Sequence, residues 1–169
     1  MPRPSFPIRY TLLIIALLTY GSTFLTYFLL PRSFRHQATA ALLFAFPGVL
    51  TRYILAVHLN TRLASFPVGT FTANIFGTAL LAAFRVLQSL SPFPVSSNAC
   101  AILQGLEDGY CGCLTTVSTF VVEIISLKNI WHKLRYGLAS WVASQLIVLL
   151  IWGVPLWVDS VAKHQTCTF

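Results

Sequence analysis

Charge is what this chain has least of. Of 169 residues, four are Asp or Glu and eleven are Lys or Arg, 9% together, whereas a soluble domain carries about a quarter. With 56% of residues hydrophobic and a mean hydropathy of +0.75, a soluble core of this length could not hide the apolar surface. That excludes an ordinary water-soluble domain and makes lipid the expected solvent. Cysteine is scarce too, with four in the chain: Cys100, Cys111, Cys113 and Cys167. Cys111 and Cys113 form a C-x-C, poor geometry for a bridge and short of a zinc set, and no second Cys/His pair follows at finger spacing. The expectation is small packing residues, with neither a disulfide framework nor a metal clip. The net charge of +7 does not imply a nucleic-acid partner, because Lys and Arg in membrane proteins collect at helix ends and set orientation.

What the chain has is long apolar runs. Residues 10–30 carry no charge over 21 positions, enough for a helix to cross about 30 Å of hydrocarbon. Further runs cover 38–57, 66–86, 98–127 and 136–158, separated by PRSFRHQ, HLNTRLAS, SLSPFPVSSN and KNIWHKLR. This predicts an all-α integral membrane protein of about five transmembrane helices. The first run is long for a signal peptide, bulky near its end and without an obvious A-x-A-like site, so it reads as a retained helix. The side holding the N-terminus, Arg62, Lys128, Lys133 and Arg135 is the more basic, which favours an inside N-terminus. The organisation expected is an N-terminal segment with one helix (1–37), a four-helix domain (38–160) and a short polar tail (161–169).

Lipid offers no hydrogen bonds, so polar groups inside these runs must find partners or line water. In the third run Thr70, Asn74, Gly77 and Thr78 fall at helical offsets and share a small, polar face. A packing seam explains the glycines; for Asn74 packing and function are equally open. In the fourth run GYCGCLTTVSTF (109–120) crowds two glycines, two cysteines and four hydroxyls together. Gly109 and Gly112 weaken a helix, and Thr115, Thr116, Ser118 and Thr119 can bond freed backbone groups. A broken helix at 109–116 is expected. Its carbonyls could ligate a cation such as Na⁺, and its new helix start would favour an anion. In the fifth run Tyr136, Ser140 and Ser144 recur every four residues. Three donor stripes with no central carboxylate or Lys suit a small anion. Arg52 and Glu123 are candidate ion partners, and Glu107 and Asp108 precede the break. An intramembrane enzyme using Ser118 lacks a base, since His36, His58, His132 and His164 lie at or beyond helix ends; the chain does not read as an enzyme.

These stretches together resemble the fluoride channel family called CrcB or Fluc in bacteria and FEX in eukaryotes. A G-x-x-x-R-Y element is matched by Gly48, Arg52 and Tyr53. A G-T-x-x-x-N-x-x-G element is matched by Gly69, Thr70, Asn74 and Gly77. A signature close to G-F-C-G-G-x-T-T-F-S-T-F and a following Glu is matched by 109–120 and Glu123, and the last helix matches with Tyr136, Ser140 and Ser144. The resemblance spans about 38–158. It implies a four-helix domain that works as an antiparallel pair, as a dimer or fused through a linking helix, and passes fluoride through narrow pores in the plasma membrane. Asn74 would donate its amide to fluoride. Ser118, Thr119, Tyr136, Ser140 and Ser144 would form a polar track, and Phe120 would offer its ring edge. Arg52, Glu123, Thr70 and Gly77 would be structural or anchoring. A structural Na⁺ would sit on the carbonyls of Gly112 and Thr115, with no other cofactor. Val117 departs from the pattern: it stands where the family has the first of two pore phenylalanines, and an aliphatic side chain has no positive edge. One domain behind one leading helix looks like the back half of a fungal two-domain exporter. A separate half, a shortened chain and a single-domain relative with an added helix all remain open, as does a non-conducting half that completes a partner's pore.

Overall fold

In the computed structural model the described residues are 6–29, 31, 39–63, 65–89 and 96–158. They form helices α1 (Phe6–Leu29), α2 (Ala40–Leu59), α3 (Val68–Gln88), α4 (Ser97–Gly105), α5 (Val117–Ser126) and α6 (Ile130–Val148). A wide π turn (Leu106–Cys111) and a last α turn (Gly112–Leu114) extend α4. Another π turn (Leu149–Gly153) carries α6 on to Val154–Trp157. Five helical stretches are long and apolar enough to cross a membrane: Pro7–Leu29, Ala40–Leu59, Val68–Gln88, Ser97–Ser126 and Ile130–Trp157. The protein is a multi-pass helical membrane protein, as the apolar runs predict.

The fifth crossing starts earlier than the apolar run at 136. His132, Lys133 and Arg135 are taken into its first turns, where long basic side chains can reach the interface while their helix is already formed.

Small residues set the packing. A Cβ on Gly105 or Gly109 would collide with the backbone of Ala40 or Ala41, and one on Gly48 with the carbonyl of Tyr110. Helix α2 and the α4 extension therefore approach at backbone distance, the way membrane helices gain contact when lipid gives no hydrophobic drive between them. Gly109 and Gly112 are thus not the unwound positions. Both keep helical backbone, Gly112 at φ −60° and ψ −38°, and Gly109 is spent on close approach.

Helix α1 lies against α2 with its surface mostly exposed. Pro47 sits inside α2 and has no N–H to give, so the Leu43 carbonyl four residues back loses its helical donor. Tyr20 Oη of α1 donates to that carbonyl at 3.2 Å, and its ring meets Phe46 at 5.8 Å.

One expectation about cysteine fails. Cys111 and Cys113 are free, but Cys100 is disulfide-bonded, with its partner outside the described residues.

Candidate functional site

The break in the fourth crossing falls at Thr115 (φ −90°, ψ 113°) and Thr116 (φ −130°, ψ 126°), the end of the expected window. Two loose backbone ends result, and two side chains tie them. Arg52 Nη1 donates to the Leu114 carbonyl at 2.8 Å. The Thr116 N–H, which in a continuous helix would close on Gly112, donates instead to Asn74 Oδ1 at 3.2 Å. Arg52 Nη1 also donates to Asn74 Oδ1 at 3.3 Å, and Nη2 to Thr119 Oγ1. Thr115 and Thr116 turn their hydroxyls back onto the carbonyls of Cys111 (2.8 Å) and Cys113 (3.3 Å). Gly77 makes room for this knot, since a Cβ there would meet Thr115 Cγ2.

Beside the break lies a cleft of about 360 Å³ between α3, α5 and α6. Its polar lining comes from Asn74 and Thr78 on α3, from the break, and from Ser140 and Ser144 on α6; Val117, Phe120 and Trp141 supply apolar wall. No lining residue is charged. Both donors that reach Asn74 point at its oxygen, which fixes the amide orientation and leaves Nδ2 unspent among the described residues. Ser140 is 8% exposed, and its buried hydroxyl has no hydrogen-bond partner among the described residues. A buried polar group left unpaired is costly and calls for an explanation.

One turn along the same seam the opposite holds. Glu123 Oε1 accepts from Thr70 Oγ1 (2.6 Å) and Asn60 Nδ2 (3.2 Å), and Oε2 accepts from Tyr136 Oη (2.8 Å). Tyr136 is fully buried, its ring packed 5.1 Å from Phe66 and 5.0 Å from Phe120. Asn60 was not singled out from the sequence. It ends α2, and its Oδ1 accepts from Gly69 N (2.7 Å) and Thr70 N (3.1 Å). It thus caps α3, whose own N-cap is Pro67 with no side-chain bond. The signal was available: a helix opening on Pro-Val-Gly-Thr with no Ser, Thr, Asp or Asn at its cap must borrow one.

The remaining sequence candidates are placed as follows. Ser118 is exposed, Thr119 meets Arg52, and Val117 is 74% exposed at the cleft wall. Gly112 is exposed and Thr115 half-exposed at the break. At the far end of α3, Glu107 is 2% exposed and paired with Arg85 at 2.9 Å, while Asp108 Oδ2 accepts from Gln104 Nε2 at 2.8 Å. Glu107 is therefore a buried member of an ion pair.

Fold and site together define a multi-span helical membrane protein with a broken crossing and a hydroxyl-lined, uncharged cleft. Residues 39–154 match the family described as CrcB-like protein, Camphor Resistance (CrcB), and the chain belongs to that family. It is 43% identical over 125 residues to Fluoride export protein 1 of Neurospora crassa, covering 74% of this chain and 23% of that protein. Against Fluoride export protein 1 of Candida albicans it is 44% identical over 125 residues, covering 70% and 32%. Against Fluoride-specific ion channel FluC 1 of Staphylococcus epidermidis it is 39% identical over 98 residues, covering 56% and 76%. The chain thus spans about a quarter to a third of the length of the fungal relatives it matches. No solved structure is significantly similar.

Proposed function

We propose that this chain supplies half of a fluoride-conducting channel, which releases fluoride passively across the plasma membrane when paired with a second four-helix domain in the opposite orientation. The observation that carries the reading is the cleft, where the Asn74 amide and the Ser140 hydroxyl are donors with nothing in the described protein to donate to. Fluoride is small and strongly hydrated, so a path for it must replace water's hydrogen bonds without a carboxylate to repel it. Neutral donors in a low-dielectric wall do this. The relatives' names, fluoride export protein and fluoride-specific ion channel, favour a channel over a catalyst.

In this reading Asn74, Ser140 and Ser144 donate to the ion, with the ring edge of Phe120 beside them. Ser118 and Thr119 extend the track toward the second domain. Tyr136 and Thr70 hold Glu123 at one end of it. Arg52 anchors the break. The carbonyls of Gly112 and Thr115 would hold a structural Na⁺ shared between the halves. Support for that is the diversion of the Thr116 N–H to Asn74, which takes from Gly112 its helical partner, and the hardness of carbonyl oxygen, which suits an alkali cation.

Val117 favours a second reading, in which the domain completes a partner's pore without conducting by itself, because an aliphatic side chain sits at the cleft wall. Liposomes separate the two. Fluoride efflux from vesicles holding the chain alone supports a self-paired channel. Efflux only after co-expression with a complementary four-helix domain supports the completing half. No efflux in either case overturns the proposal.

A further inference from the structure

A second cavity, of about 470 Å³, opens at the end of the bundle where α2 turns into α3 and α5 into α6. It is lined by Ser65, Ser126, Leu127, Lys128, Asn129 and His132. The surroundings are cationic: Lys133 and Arg135 follow on α6 and Arg62 lies on the α2–α3 turn. No carboxylate among the described residues pairs with Lys128 or His132. The nearest acid, Glu123, is turned inward to Asn60, Thr70 and Tyr136. Ser126 Oγ donates to the Glu123 carbonyl, Asn129 Oδ1 accepts from Trp131 N, and Lys133 Nζ reaches the Ile125 carbonyl. Those groups are occupied. The Lys128 ammonium and the His132 ring, both lining the cavity, have no hydrogen-bond or ion partner among the described residues.

Position decides what such a pocket meets. The cavity lies where two membrane-crossing helices end and two begin, which is headgroup depth. Trp131, 72% exposed, stands on the first turn of α6 beside Ile130, 60% exposed, and an exposed Trp at a helix end marks the membrane–water interface. A pocket that offers the Lys128 ammonium and an imidazole within a largely apolar wall, opening at that depth, is complementary to a phosphate ester that carries acyl chains. It is far larger than a monatomic anion needs. We propose that this pocket binds the headgroup of an anionic phospholipid in the leaflet facing the basic end of the bundle. Lys128 and His132 hold its phosphate, and Ile130 and Trp131 border its chains.

The test uses the full chain, purified in a neutral detergent and titrated with dioctanoyl phosphatidylserine, dioctanoyl phosphatidylcholine and inorganic phosphate. The serine lipid should bind most tightly. Lys128→Gln should weaken it by about fivefold, the change expected from one basic group at an anionic headgroup, and adding His132→Gln should weaken it further. Lys128→Arg keeps the charge and should bind like the parent. Arg135→Gln, outside the pocket, should stay within about twofold in buffer of about 0.15 M salt, which screens a charge that does not touch the headgroup. Equal binding of the choline lipid overturns the proposal, and so does competition by inorganic phosphate at equal concentration, which identifies a free-anion site. A loss in Arg135→Gln as large as in Lys128→Gln also overturns it, as does failure of Lys128→Arg to bind.

Discussion

Two places one helical turn apart on the same seam treat polar groups in opposite ways. At Glu123 every strong group is spent: Asn60, Thr70 and Tyr136 all donate to one carboxylate. In the cleft next to it, Asn74 keeps an amide N–H and Ser140 a hydroxyl without a partner among the described residues. In lipid both arrangements carry a cost, so the contrast is informative. A saturated polar cluster holds helices together. An unsaturated one in the same surroundings calls for an explanation that packing does not supply. In the proposed reading the first place is structural and the second is where the ion passes.

The largest effect should come from Asn74→Asp. The acceptor oxygen that takes the Arg52 and Thr116 donors survives, so the break stays tied. The free donor is replaced by negative charge in the anion's path. Fluoride resistance of a sensitive host should disappear while the purified protein stays folded; normal growth would break the assignment. Glu123→Ala should act on folding. It leaves Asn60, Thr70 and Tyr136 without their acceptor in a low-dielectric place, at a cost of about 2 kcal/mol, read as a lowered thermal midpoint in detergent. An unchanged midpoint would mean the carboxylate is not the structural hub. Ser140→Ala sharpens the contrast from the other side. The hydroxyl has no partner in the described protein, so stability should move by no more than about 0.5 kcal/mol. Losing one donor to the ion should slow fluoride flux by about fivefold, taking roughly 1 kcal/mol per hydrogen bond. A destabilised protein with unchanged flux would reverse the roles. The smallest effect is expected for Val117→Phe, a residue exposed at the cleft wall. A modest rise in efflux would place that wall in a working pore; identical flux would place it outside one.

Much of this architecture was legible because lipid simplifies the code. Apolar runs of about twenty residues with few charges are read as membrane crossings, and the five crossings follow from them. The Thr70–Asn74–Gly77 stripe and the Ser140–Ser144 pair were visible as offsets of three and four, and the structure brings Asn74, Ser140 and Ser144 to one cleft. What could not be read is how each polar group is spent. Tyr136 shares the spacing of Ser140 and Ser144, yet its longer side chain reaches Glu123. Gly109 reads as a helix breaker, but its use depends on Ala41 lying against it. Asn60 looks like loop punctuation until the absence of a local cap on α3 is noticed. Partners on other helices decided each of these cases.

The proline inside α2 has a further consequence, which concerns depth rather than shape. The Leu43 carbonyl that Pro47 leaves open is a single polar notch at a fixed height in the hydrocarbon, and the Tyr20 hydroxyl is the peg that fits it. Sliding α1 by one turn would move the peg about 5.4 Å, out of reach of any hydrogen bond, with no water there to compensate. An otherwise smooth, lipid-facing helix is thereby given a vertical register, set by a neighbour's missing N–H.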